Sequence, residues 1–150
     1  MKHVLTREQV VPRPRSEVFA FFADAQNLER ITPSSLRFRI KSPLPIEMRP
    51  GAVIEYDLSL FGVRFGWRTV IERFDPPRSF VDVQARGPYR LWRHTHEIDE
   101  LPGGGTRIAD RVEYELPLGP LGELAHRLFV ARQLRHIFDH RQLVIAETFG

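Results

Sequence analysis

At 150 residues, with 42% hydrophobic content and no cysteine, the chain has the size of one domain (residues 1–150) with a real core, and disulfide and thiolate chemistry are excluded. Its 22 basic residues are offset by 19 acidic ones and scattered, so neither a basic cluster nor an aromatic RNA-binding signature points to nucleic acid. No apolar run is long enough to span a bilayer and MKHVLTREQVV lacks a signal-peptide core, so a cytoplasmic chain with no integral membrane segment is expected.

His3 to Val11 alternates as a first strand that Pro12 and Pro14 stop. Ser16 reads as the N-cap of a short helix with Glu17 against the helix dipole and Val18, Phe19 and Phe22 on its apolar face. A second short helix is expected over Ala25 to Ile31, ending where Thr32-Pro33 disfavours helical geometry. From Leu36 onward the period is two. Leu36, Phe38 and Ile40 alternate with Arg37, Arg39 and Lys41. Ile54, Tyr56, Leu58 and Leu60 form the inner face of the next strand. Gly62 turns the chain into a strand bearing Val63, Phe65, Trp67, Thr69 and Ile71 on one face, and Asp75-Pro76-Pro77 ends it. Ser79 to Arg86 follows. With the opening strand this predicts an α+β chain of seven antiparallel strands, six of them a meander. After Pro117-Leu118-Gly119-Pro120 the period becomes helical, with Leu124, Leu128, Ala131, Leu134, Phe138 and Ile145 along one side. Arg127, Arg132, Arg135 and Arg141 fall largely elsewhere. A helix of about 27 residues, roughly 40 Å long, is long enough to lie across a curved sheet.

The chemistry concentrates between Gly87 and Pro120. Two strands meet at Pro102-Gly103-Gly104-Gly105, and alternation sends Trp92, His94, His96 and Ile98 inward from one, and Ile108, Asp110, Val112, Tyr114 and Leu116 inward from the other. A turn centred on the glycines pairs Ile98 with Ile108, His96 with Asp110, His94 with Val112 and Trp92 with Tyr114. A turn at Gly87-Pro88 that pairs Asp82 with His96 and Gln84 with His94 would flank one imidazole with two carboxylates. Three outcomes stand open for these groups. They form a satisfied internal network; they anchor a ligand or exchange a proton with it, an aspartate raising the histidine pKa; or His-x-His and Asp110 hold a metal. Tyr56, Trp67, Trp92 and Tyr114 suit an aromatic cavity wall, while Arg68 and Arg93 alternate with the inward residues and are expected outside. No nucleophile elbow, phosphate loop or dinucleotide fingerprint occurs.

The order strand, two short helices, six-stranded meander and long C-terminal helix is the helix-grip arrangement. In SEVFAFFADAQNLERITP (16–33), WRTVIERFDPPRSFVDVQARGPYRLWRHTHEI (67–98), GGTRIADRVEYELPLGPLG (104–122) and IFDHR (137–141), the chain resembles the SRPBCC or START and birch-pollen-allergen superfamily, especially its bacterial ligand-binding subgroup. The resemblance covers essentially the whole chain. It implies a seven-stranded antiparallel curved sheet wrapped on the long C-terminal helix, enclosing a cavity for a small hydrophobic ligand such as a lipid, an isoprenoid or an aromatic polyketide-like compound. Tyr56, Trp67, Asp82, Gln84, Trp92, His94, His96, Asp110, Tyr114, Leu128 and Phe138 are the expected ligand-binding residues. In the enzymatic alternative, a polyketide cyclase or dehydratase, His94, His96 and Asp110 would be catalytic. Neither a metal nor a cofactor is expected. A homodimer, or delivery of the ligand to a partner enzyme, stays open.

Overall fold

The strands follow the alternation in the sequence closely. The computed structural model describes residues 1–150 and contains β1 (His3–Val11), β2 (Arg39–Ile40), β3 (Val53–Leu60), β4 (Val63–Asp75), β5 (Ser79–Arg86), β6 (Leu91–Glu100) and β7 (Thr106–Glu115). They form one antiparallel sheet in the order β1-β7-β6-β5-β4-β3-β2, so the chain's first strand closes against its last and β2 lies at the far edge. Inward residues at every second position, such as Ile54 and Leu58 of β3 and Ile108, Val112 and Tyr114 of β7, are buried.

Three short stretches depart from the expectation. The first helix, α1 (Arg15–Phe22), begins one residue before the predicted Ser16 cap and has no side-chain cap; Pro14, with φ −62°, leads directly into it. The second helix, α2 (Asn27–Arg30), is a single turn. The predicted Leu36–Lys41 strand is reduced to the two residues of β2, because Ser34–Leu36 coils into a 3₁₀ turn and Arg37 takes a left-handed φ of 49° that bends the chain out of the sheet.

The C-terminal helix departs more. It consists of α3 (Gly119–Ala125), a π-helical turn at His126–Val130, and α4 (Ala131–Phe149). A π turn inserts one residue into the helical ladder and so shifts everything before it by about 100° relative to everything after it. In α4, Leu134, Phe138, Arg141, Ile145 and Phe149 face the sheet. Leu124 before the turn and Leu128 within it point to solvent, more than half exposed. The apolar period seen in the sequence therefore runs through a break in helical phase.

Two apolar clusters fill the space between sheet and helix. One gathers Val18, Phe19 and Phe22 of α1 with Phe80, Ile98, Ile108 and Ile145. The other gathers Trp67, Tyr89, Val112, Leu134 and Phe138. The inward polar residues of β5, β6 and β7 lie where the two meet.

Candidate functional site

The β6–β7 register is the one predicted from the glycine turn: Ile98 pairs with Ile108, His96 with Asp110, His94 with Val112 and Trp92 with Tyr114. The β5–β6 register is not. Asp82 pairs with His94 and Phe80 with His96, two residues from the expected alignment. The reason is Gln84, whose amide leaves the sheet face to donate to the Tyr89 carbonyl at 2.7 Å and accept from the Tyr89 N–H at 3.1 Å. That clamp makes a wider loop in place of a tight turn at Gly87-Pro88, and it keeps Gln84 away from His94 and from the cavity.

The imidazoles nevertheless sit between carboxylates, because the aspartates reach diagonally across the ladder. Asp82 Oδ2 lies 2.5 Å from His96 Nε2, and Asp110 Oδ1 lies 2.9 Å from His94 Nε2. A fifth member arrives from α4. Arg141, 5% exposed, places Nη2 3.1 Å from Asp110 Oδ1 and 3.4 Å from His96 Nδ1. A guanidinium donates only, so Nδ1 of His96 carries no proton; its N–H is on Nε2 and is donated to Asp82. The rings of Phe80, His96 and His94 stack in sequence, with centroids 4.0 and 3.7 Å apart, and Arg141 lies over the Phe22 ring at 4.9 Å.

Burial, together with the stacked His94 and the Arg141 charge, lowers the pKa of His96 from 6.5 to about 4, outweighing the hydrogen bond to Asp82. The proton-exchange reading called for the reverse, an aspartate raising that pKa toward neutrality. Burial pushes both carboxylates up, but His96 brings Asp82 below its ordinary value. Arg141 and then His94 hold Asp110 well below the usual carboxylate range. At neutral pH the cluster thus contains two carboxylates, one guanidinium and a neutral His96.

This cluster forms the polar wall of a cavity of about 160 Å³. Asp82, His94, His96 and Arg141 line it, whereas Asp110 lies behind the imidazoles. The rest is apolar and largely aromatic: Tyr56, Trp67, Trp92 and Phe138 line it as expected, joined by Phe38 and Tyr89. Trp67 stacks on Tyr56 at 5.8 Å and meets Trp92 edge-on at 5.4 Å, and the Tyr56 hydroxyl is 3.2 Å from Thr69 Oγ1. Two buried donors have no protein partner, Trp67 Nε1 and Arg141 Nε.

Besides Gln84 and Asp110, two expected cavity residues lie elsewhere. Tyr114 is buried beside Trp92, but its hydroxyl is directed away, to His126 Nε2 at 2.7 Å. Leu128, within the π turn, is 57% exposed. Arg141 was missed, although the spacing 134, 138, 141, 145 puts it on the buried face of α4; its charge argued for solvent when its position argued for the core. Arg68 and Arg93 point outward, to Glu55 and Glu72.

Asp82, His94 and His96 each offer a donor atom within 4.8 Å of the others, so their spacing alone admits a metal ion. Both Nε2 atoms are already engaged by carboxylates and a fixed guanidinium stands 3.4 Å from the remaining His96 nitrogen, which opposes a second cation. What the arrangement does offer is a pre-paired polar wall facing an apolar slot.

Structural relatives share the frame that carries this site. The aromatase/cyclase Zhui of a Streptomyces species is 12% identical, with a TM-score of 0.79 over 99% of this chain and 93% of its own. A START superfamily protein of Mycobacterium smegmatis is 12% identical, with a TM-score of 0.71 over 99% of both chains. The major latex-like protein 151 of Panax ginseng is 13% identical, with a TM-score of 0.66 over 99% and 98%. No curated protein matches the sequence. No helix is long and apolar enough to cross a membrane. Residues 11–140 match the family described as polyketide cyclase/dehydrase and lipid transport, and the chain, with a helix gripped by a seven-stranded antiparallel sheet, belongs to that family.

Proposed function

We propose that this protein binds a small hydrophobic molecule, isoprenoid, lipid or aromatic polyketide-like, in the cavity between the sheet and α4, and that the ligand presents a hydrogen-bond acceptor to Arg141 Nε and Trp67 Nε1. One observation carries this: those two buried donors, both lining an otherwise aromatic cavity, lack a protein partner. A buried donor left unpaired costs about 1–3 kcal/mol, and a ligand carbonyl, hydroxyl or carboxylate would recover it. Apolar surface leaving water adds about 25 cal/mol per Å². At about 160 Å³ the cavity is below the roughly 300–1,000 Å³ of an ordinary small-molecule site, so any ligand larger than one or two rings must displace the aromatic wall as it enters.

The cyclase or dehydratase alternative, with His94 or His96 as general base beside Asp110, has less support. His96 is buried, holds its proton against Asp82, and has its other nitrogen covered by Arg141, so a base there lacks both access and a pKa near neutrality. Native mass spectrometry of freshly purified protein tests the binding proposal, with a co-purified small molecule expected. If none is found, and a panel of long-chain lipids, isoprenoids and aromatic polyketides gives no thermal stabilisation, the proposal fails.

A further inference from the structure

The helical stretch whose periodicity predicts a core face is instead an exposed apolar stripe. Leu121, Leu124 and Leu128 are 69%, 52% and 57% exposed, and their spacing of three and four residues aligns them on one side of α3 and the π turn. At the end of the stripe Phe129, 55% exposed, meets Phe61, 59% exposed, at 6.0 Å between ring centroids, which joins the helix to the β3–β4 hairpin tip. Singly exposed leucines are ordinary, but a contiguous patch of this kind marks a binding surface.

The backbone points to the same place. Only three non-glycine residues of the chain have left-handed φ: Arg37 at 49°, Phe61 at 53° and Leu118 at 72°. Phe61 occupies the tip of a two-residue hairpin where Asn or Gly fits without strain, and a bulky side chain normally avoids that φ. Leu118, directly before α3, is 75% exposed. Strain held at solvent-facing apolar residues gains nothing for the folded monomer, and such outliers concentrate at functional surfaces.

Charge identifies what covers the patch. Arg127 flanks Leu128, and Arg132 and Arg135 continue the stripe along α4; all three are exposed and none is in an ion pair. Beside Phe61, Arg64 donates to the Arg37 carbonyl at 2.6 Å, and Arg37 and Arg39 are likewise exposed without an ion pair. The only acidic residue between Leu118 and Arg135 is Glu123, which is turned to His3 at 3.0 Å. A second copy of the chain would bring these arginines face to face, whereas an anionic lipid surface neutralises them while the leucines and phenylalanines enter the acyl boundary. We infer that this face, centred on Leu128, Phe129 and Phe61, docks the protein on an anionic bilayer surface. Leu60 and Leu134, close in sequence to the two phenylalanines, line the cavity, so docking presents that end of the cavity to the membrane.

Flotation of the full chain with phosphatidylcholine vesicles containing about a third phosphatidylglycerol tests this. Wild-type protein is expected to float with these vesicles and to bind pure phosphatidylcholine at least about tenfold more weakly. The Leu128→Asp/Phe129→Asp double variant is expected to stay in solution at an unchanged melting temperature, since both positions are exposed. Arg132→Glu/Arg135→Glu, also exposed, provides a second test and is expected to weaken binding about tenfold or more. Wild type that ignores anionic vesicles, or a double aspartate variant that floats like wild type, overturns the inference. So does a wild-type dimer, seen by sedimentation, that the double aspartate variant dissolves. Leu128, Phe129, Arg132 and Arg135 line no part of the cavity, so the loss of docking in these variants is read separately from whether a cavity ligand is found.

Discussion

Replacing Arg141 by Met removes a charge while keeping most of the aliphatic volume between the Phe22 and Phe138 rings, so any loss of stability is electrostatic and little of it comes from a new void. Arg141 is 5% exposed, with Nη2 3.1 Å from Asp110 Oδ1, and its removal leaves a buried carboxylate held by His94 alone. Breaking a buried pair from one side costs about 3–5 kcal/mol. For a chain of this length that corresponds to a melting temperature roughly 10 °C lower. Adding Asp110→Asn removes the orphaned charge, and the double variant should recover most of the loss. Urea unfolding of wild type, both single variants and the double variant gives the coupling, expected to be at least about 2 kcal/mol. A single variant within about 2 °C of wild type, or a double variant no more stable than Arg141→Met, would refute the pairing of these two groups as the organiser of the polar wall.

The neighbouring groups make further demands. His96→Ala should cost about 1–3 kcal/mol, because Asp82 loses its donor inside the protein; an unchanged urea midpoint would contradict a satisfied network. Acidification from about pH 6.5 to about 4 should reduce stability by up to about 3 kcal/mol. The unfolded chain takes up a proton in that window that buried His96, with its pKa lowered to about 4, refuses. His96→Gln should flatten that slope in pH-dependent urea melts. Trp67→Phe removes a buried donor that has no protein partner, so it should leave the melting temperature of the ligand-free protein nearly unchanged yet weaken the co-purified ligand by about tenfold in a titration.

Much of this architecture was legible in the sequence where one local signal fixes geometry. Three glycines after Pro102 leave little choice of turn centre, and the β6–β7 register followed residue for residue. Gly87-Pro88 looked equally decisive and was not, because a side chain, Gln84, sets the width of that loop through the main chain of Tyr89, a side-chain-to-backbone bond that alternation does not encode. Asp82, His94 and His96 were still recognised as a cluster because their side chains tolerate a diagonal arrangement. The helix misled more. Nothing in the spacing of Leu124, Leu128, Leu134 and Phe138 reveals an extra residue in the backbone ladder, so Leu128 was assigned to the cavity. Hydrophobic periodicity counts residues, and the π turn changes how many residues make a turn.

That same turn divides one helix into two independently adjustable surfaces. Downstream of Val130, any substitution on the sheet-facing side alters the cavity and its charged wall. Leu121 and Leu124 upstream, and Leu128 within the turn, are exposed and line no part of the cavity, so exchanging them leaves its lining unchanged. Deleting one residue within 126–130 would convert the π turn to a regular α turn and keep both faces as they are, because the turn already holds one residue more than an α-helix needs, while substitution before the turn would leave cavity chemistry intact. What the protein holds and where it goes can thus diverge separately within one continuous rod.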